Sequence, residues 1–305
     1  MATLRDVRRR IQSVKSTQKL TRAMKMVASS KLRRAEKLLL QARPYAAKIT
    51  EVVESLAFRT DAKDNPLLNE GSSGKVQMLV VTGDRGLCGG FNSNVLRFAV
   101  SSMRNITDKQ IDLFVVGKKA RDYFLRRPEH NIADEYVNFW RGFSPRDATI
   151  VSQKIISSFT ESSYDAIYLV YNEFKSALSQ KVVIEQLLPI KPRVETVSID
   201  STEDFAAESA SEENGALDTD YLYEPSLAEL VDSLLKQHIE FQVHRAFLES
   251  YASEQGARMT AMDAATDNAQ EMINTLTLQY HRARQASITR ELIEIVSGAD
   301  ALSGS

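Results

Sequence analysis

The stretch with the most chemical potential is Thr82–Asn92, TGDRGLCGGFN. It follows the apolar run Lys75–Thr82 (KVQMLVVT) and precedes a helical pattern. A glycine-rich turn between a strand and a helix is where dinucleotide and phosphate loops sit, because helix-terminal N–H groups point at the anion. The glycines fall at 83, 86, 89 and 90, which is not G-x-G-x-x-G, and no G-x-x-x-x-G-K-[ST] supplies a phosphate-binding lysine. The spacing favours a structural turn, with nucleotide binding the minor alternative. Cys88 inside it could be a nucleophile, but no Cys-His-Asp/Asn signature accompanies it, so a packed thiol is expected. The histidines are 130, 238, 244 and 281. His238 and His244 are six apart, a poor helical spacing for a shared metal. No carboxylate pair stands out from the surface charge, so acid–base hydrolysis has no specific support. No catalytic, metal or cofactor residue is assigned.

Charge is unevenly spread. Residues 1–50 carry 14 Lys/Arg against the two acids Asp6 and Glu36, and residues 200–224 carry nine acids with no Lys or Arg. The chain as a whole nets −1. The basic run Arg8, Arg9, Arg10, Lys15, Lys19, Arg22, Lys25, Lys31, Arg33, Arg34 would permit a helix lying on phosphates. Its residues spread around the helix, however, and aromatics are absent until Tyr45. A solvated coiled-coil surface facing acidic protein is favoured over nucleic acid.

These residues are carried by two long helical patterns flanking an alternating block. From Leu4 to Leu56, apolar or small residues recur at steps of three and four: Leu4, Val7, Ile11, Val14, polar at Gln18, Thr21 and Lys25, then Ala28, Leu32, Ala35, Leu39, Ala42, Ala46, Ile49, Val53 and Leu56. An average spacing of 3.5 winds a helix around a partner. Pro44 should kink this helix without stopping it, since the seam resumes in phase. The polar break at Gln18–Lys25 suggests that the partner separates there or another surface docks. A second seam starts at Leu227 and passes through Val231, Leu234, His238, Phe241, Arg245, Leu248 and Ala252 to Ala283, with a phase shift to Ile288, Leu292 and Ile295. Ser226 and Glu229 form a candidate capping box at its start. Helices at the two ends of a chain can pair only by bringing those ends together, as a rod with a globular body.

The block between reads as strand at 75–82, helix 92–104, strand 111–116, helix 118–127, an edge strand at 133–139, helix 146–162, and strands at 166–171 and 181–190. Alternation of this kind argues for a mostly parallel sheet covered on both faces. The expected organisation is an N-terminal coiled-coil helix (1–58), a central Rossmann-like α/β domain (75–197), an acidic insertion (198–224) and a C-terminal coiled-coil helix (225–305). No apolar stretch reaches the roughly 18 residues of a membrane span, and the N-terminus does not read as a signal peptide. The single cysteine excludes an internal disulfide and fits a reducing cytoplasm.

Several stretches together resemble the gamma subunit family of rotary ATP synthases. RRRIQSVKSTQKLTRAMKMVASSKLRRAE (8–36) is similar to the family's first coiled-coil strand, DRGLCGGFN (84–92) to its characteristic turn, and the stretch from Glu249 to Leu302 to its second strand. The likeness covers essentially the whole chain and is weakest near 200–220. It implies an asymmetric shaft inside a ring of alternating alpha and beta subunits. The body would be bound to epsilon and seated on a membrane ring of c subunits. The chain would then be peripheral to the cytoplasmic face of a bacterial inner membrane, with no nucleic acid partner, no cofactor and no active site of its own. Met24 and Lys25 match the segment that meets an acidic lever of beta. Arg258, Arg284, Gln285, Thr289 and Glu291 match polar positions that affect coupling, with Arg284 and Gln285 forming a catch with beta. The tip from Ile295 would turn in an apolar collar. Chloroplast-type members carry a regulatory cysteine pair, which this chain with Cys88 alone lacks.

Overall fold

The computed structural model describes residues 4–59, 65–69, 71–106, 109–138, 144–161, 163–190 and 227–303. The acidic insertion and the Ser226–Glu229 capping box lie outside the residues whose side chains are described. Helix α1 runs Leu4–Arg59 and continues through Pro44. Strand β1 is Lys75–Val81, α2 Phe91–Asn105, β2 Gln110–Val116, α3 Lys118–Phe124, β3 Asn131–Tyr136, α4 Pro145–Thr160, β4 Ala166–Phe174, β5 Gln180–Leu188 and α5 Leu227–Ser303. At 1.5 Å per residue, α1 is about 84 Å long and α5 about 116 Å.

The five strands form one sheet in the order β3-β2-β1-β4-β5. The first four are parallel, and β5 returns antiparallel to β4 as a hairpin. The period-2 geometry of β1 sorts its side chains between two cores. Met78 and Val80 pack with Val95, Ala99, Ala120 and Phe124 of α2 and α3. Leu79 and Val81 pack with Val151 and Ile155 of α4 and with Val231, Leu235, Ile239, Val243 and Phe247 of α5. The lower third of α5 is therefore a sheet-covering helix of the body. This revises the single seam expected from Leu227: the stripe 231-235-239-243-247 faces the sheet, while Phe241 and Leu248 lie on or beside the side toward α1. Phe241 stacks obliquely on Tyr45, with centroids 5.2 Å apart.

Above the body, α1 and α5 form an antiparallel pair. Ala28, Leu32 and Ala35 are buried on one helix and Ala252, Met262, Ala269, Ile273 and Leu276 on the other. The polar break in the α1 seam does not part the helices, which removes one of the two readings the sequence left open. Polar residues of α5 meet it instead: Gln18 Nε2 donates to Gln270 Oε1 at 2.8 Å, the Thr21 and Thr266 hydroxyls lie 2.8 Å apart, and Lys25 Nζ reaches Asp263 Oδ1 at 2.5 Å. Thr21 is only 7% exposed, and its hydroxyl is satisfied by the Gln18 carbonyl at 3.0 Å and by the Thr266 hydroxyl. Advancing this register 14 residues from Gln18 to Leu4 brings α5 to residue 284. Beyond that point α5 stands without α1 beside it, and Leu292, Ile293, Ile295 and Val296 are exposed.

Candidate functional site

Thr82 follows β1 and anchors the glycine-rich turn. Its N–H and hydroxyl both donate to the Val116 carbonyl, at 2.9 and 3.1 Å, and its hydroxyl accepts from Ala120 N–H at 2.9 Å. Gly117 sits at φ +91 directly against the Thr82 carbonyl, where any Cβ would collide. The turn then satisfies its own polar groups. Asn92 Oδ1 accepts from Gly83 N–H at 2.9 Å, and Asn92 Nδ2 lies 3.1 Å from Cys88 Sγ. Asp84 Oδ1 accepts from the N–H groups of Lys118 (3.0 Å) and Asn138 (3.2 Å). The Asp84 carboxylate thus ties the turn to the start of α3 and to the residues that follow β3. Cys88 is buried, and burial with the nearby Glu254 charge pushes its thiol pKa up, away from a reactive thiolate.

In doubly wound sheets ligands bind outside the carboxyl ends of the strands where the winding reverses. Here that crevice lies between β1 and β4, and α5 fills it. Gly83 leaves room for the Glu254 carboxylate, whose carbon would stand 2.9 Å from a Cβ at that position. Glu254 Oε1 accepts from Arg258 Nη2 at 2.5 Å, and Arg258 also donates to the Gly86 carbonyl at 3.2 Å. The Glu254 side chain is buried at 4% exposure and that of Arg258 mostly so at 12%. Burial raises the Glu254 pKa against the lowering influence of Arg258. On the other side, Ser253 Oγ donates to the Asn172 carbonyl at 3.3 Å.

This crevice opens into a cleft of about 770 Å³ lined by Met24, Val27 and Lys31 of α1, by Arg85 and Leu87 of the turn, and by Arg258. Leu87 takes φ +62 and is 64% exposed, a strained backbone state for a bulky residue. Met24 and Arg258, far apart in sequence, meet in this one cleft. Lys25 turns away to Asp263. Arg284, Gln285, Thr289 and Glu291 are exposed on the overhang of α5, about 40 Å further along the helix than Arg258. There Thr289 Oγ1 donates to the Gln285 carbonyl at 2.9 Å and Ser287 Oγ to Glu291 Oε1 at 3.2 Å. The candidate residues therefore form two stations, one where the shaft leaves the body and one at its tip. The grip of Glu254 was not read from the sequence, since Glu254 lies off the α5 seam and meets the glycine-rich turn only through the fold.

His238 and His244 are packed within α5, where burial lowers both pKa values, to about 4 for His238. Among the described residues no group of His, Cys, Asp or Glu could hold a metal ion.

A terminal-helix coiled coil rooted in a five-stranded α/β body defines a shaft-and-base protein. The family model described as ATP synthase matches residues 3–302. The ATP synthase gamma chain of Geobacter metallireducens is 45% identical over 306 residues, and that of Geotalea uraniireducens 42% over 306, each with full coverage of both chains. This chain belongs to the ATP synthase gamma-chain family. Its fold is also that of a chain in the Euglena gracilis mitochondrial ATP synthase (OSCP/F1/c-ring, rotational state 3). The TM-score is 0.65 at 21% identity, covering 98% of this chain and 94% of that one. A chain of the Tetrahymena thermophila mitochondrial ATP synthase central stalk/c-ring superposes with TM-score 0.58 at 24% identity, over 81% of this chain and 99% of the other.

Proposed function

We propose that this chain is the central-stalk rotor subunit of a bacterial proton-translocating ATP synthase. It carries torque between a membrane ring of c subunits and a head of alternating alpha and beta subunits, with epsilon bound to the body. The carrying observation is the continuity of α5. One 77-residue helix covers the sheet with its lower third, pairs with α1 above the body, and ends as an overhang. A turn of the body is thereby a turn of the tip, with no flexible joint between.

The chain does no chemistry of its own in this reading. The turn's Asn92 and Asp84 side chains are engaged by the amides of Gly83, Lys118 and Asn138, and the ligand crevice of the sheet holds α5. The complex lies on the cytoplasmic face of the inner membrane. Bacterial relatives support this placement, and no described helix is long and apolar enough to cross a membrane.

Met24, Lys25 and Arg258 form a lower contact with beta, and Arg284, Gln285, Thr289 and Glu291 an upper one. The cleft beside Met24 already contains Lys31, Arg85 and Lys118, a basic setting for an acidic partner. Met24→Lys adds a further cation and an extra ion pair to that partner. Coupling is then expected to fall, read as fewer protons pumped per ATP hydrolysed in membrane vesicles. An unchanged ratio would exclude the lower contact.

A further inference from the structure

Three neighbours hold α5 between residues 252 and 262, on faces about 120° apart at 3.6 residues per turn. Ala252, Gln255 and Met262 face α1. Glu254, Arg258 and Ala261 face the glycine-rich turn, where a Cβ on Gly89 would lie 3.9 Å from Ala261. Ser253, Gly256 and Thr260 face the end of β4 and the tip of the β4–β5 hairpin. Since α1 belongs to the shaft, the described residues of the body grip α5 at this height through two prongs, the turn and the hairpin.

The hairpin prong is built for close approach. A Cβ on Gly256 would stand 3.3 Å from both Cα and O of Ala177 and 3.5 Å from the Phe174 ring. Glycine inside a helix costs about 1 kcal/mol relative to alanine, and here it lets the hairpin backbone lie against the helix. Thr260 Oγ1 shares its proton between the Gly256 carbonyl of its own helix at 3.1 Å and the Ala177 carbonyl at 3.3 Å, and Gln180 Nε2 donates to the Ala177 oxygen at 2.9 Å. The hairpin tip is closed by Ser176 N–H to the Ser179 carbonyl at 3.0 Å and by Ser179 N–H to Ser176 Oγ at 3.1 Å. Phe174 and Ala177 pack against the cluster of Leu32, Ala35 and Ala252, so the prong wedges between both shaft helices.

Resting on the rotor reading, we infer that the β4–β5 hairpin is a torsional brace for the shaft, with Gly256 and Thr260 as its positioning residues. The brace opposes the glycine-rich turn across α5. Loss of either prong lets the shaft twist and rock relative to the body while the helices stay paired.

The test uses the chain assembled with its alpha and beta subunits and stalled by withholding ATP. A probe is attached to the body through Leu125→Cys, a site 65% exposed. One variant, Gly256→Val, forces the hairpin off. The other combines Ala177→Gly, Leu178→Gly and Thr260→Ala, which slackens the hairpin without added bulk and decides the matter if the first does not assemble. The mean-square angle of the probe should rise, by up to about twofold, the sheet core's hold on α5 at Val231–Phe247 being left in place. Amide exchange across residues 252–262 should accelerate in the same preparations. Unchanged angular width together with unchanged exchange would overturn the brace. A parent complex that hydrolyses ATP and never rotates would overturn the rotor reading instead, and the exchange measurement would then judge the hairpin contact alone.

Discussion

Glu254 and Arg258 show what one buried pair does at the root of the shaft. The pair neutralises two charges that burial would otherwise penalise, and it ties α5 to the Gly86 carbonyl. Arg258→Ala leaves a buried carboxylate unmatched, and the expected loss is about 3–5 kcal/mol in denaturant unfolding. Adding Glu254→Gln to that variant should recover much of the loss, because the stranded charge is gone. Glu249, one turn below, makes a pH prediction. Burial holds its pKa up to about 7 from the ordinary 4.5; Arg245 pulls it down, while Glu173 and Glu185 add to the rise. Arg245 is already engaged with Glu185 Oε2 at 2.6 Å. A raised folded-state pKa means stability that is full below pH 4.5 and lost as pH rises through about 7. Glu249→Gln should therefore gain urea stability over the parent progressively from pH 5 to pH 8. A difference that stays constant with pH would contradict this. Nearby His238, with its pKa lowered to about 4, works in the opposite sense, losing stability as pH falls. It is present in both proteins and cancels in the comparison.

Among the elements, the shaft owes its strength to the paired length of α1 and α5. Leu276 is 7% exposed within that length and Leu292, beyond it, 57%. Leu276→Ala should cost about 2–5 kcal/mol, and Leu292→Ala no more than about 0.5 kcal/mol, both measured by urea unfolding. Equal losses would mean that the overhang is covered. The α1 seam was legible because steps of three and four survive from Leu4 to Ala42. The strands were legible because short apolar runs alternated with helical patterns between turn residues. Three things were not legible. Stripes on two sides of lower α5 blurred into one seam, since a helix buried on both sides carries no clear period. The polar layer at Gln18, Thr21 and Lys25 looked like a break, because its partners Gln270, Thr266 and Asp263 lie some 240 residues away and only pairing reveals them. The grip on α5 by the turn and hairpin depends on packing between loops that no local spacing reports. Of the site positions, Met24 and Arg258 came from resemblance, and their meeting in one cleft came from the fold.

For the whole molecule, asymmetry is the functional property. The body is at one end, the paired helices rise from it, and a single helix continues past the end of α1. Cys88 is unsuited to carrying a probe, since it is 2% exposed; Leu125→Cys on the body is the better handle. The most direct test of the central claim is to fix the alpha and beta head of a complex containing this chain, attach a bead at residue 125, and supply ATP. Stepwise rotation in one direction that stops when ATP is withheld is the result expected. A complex that contains this chain, hydrolyses ATP and holds the bead firmly, yet shows no rotation, would contradict the rotor assignment.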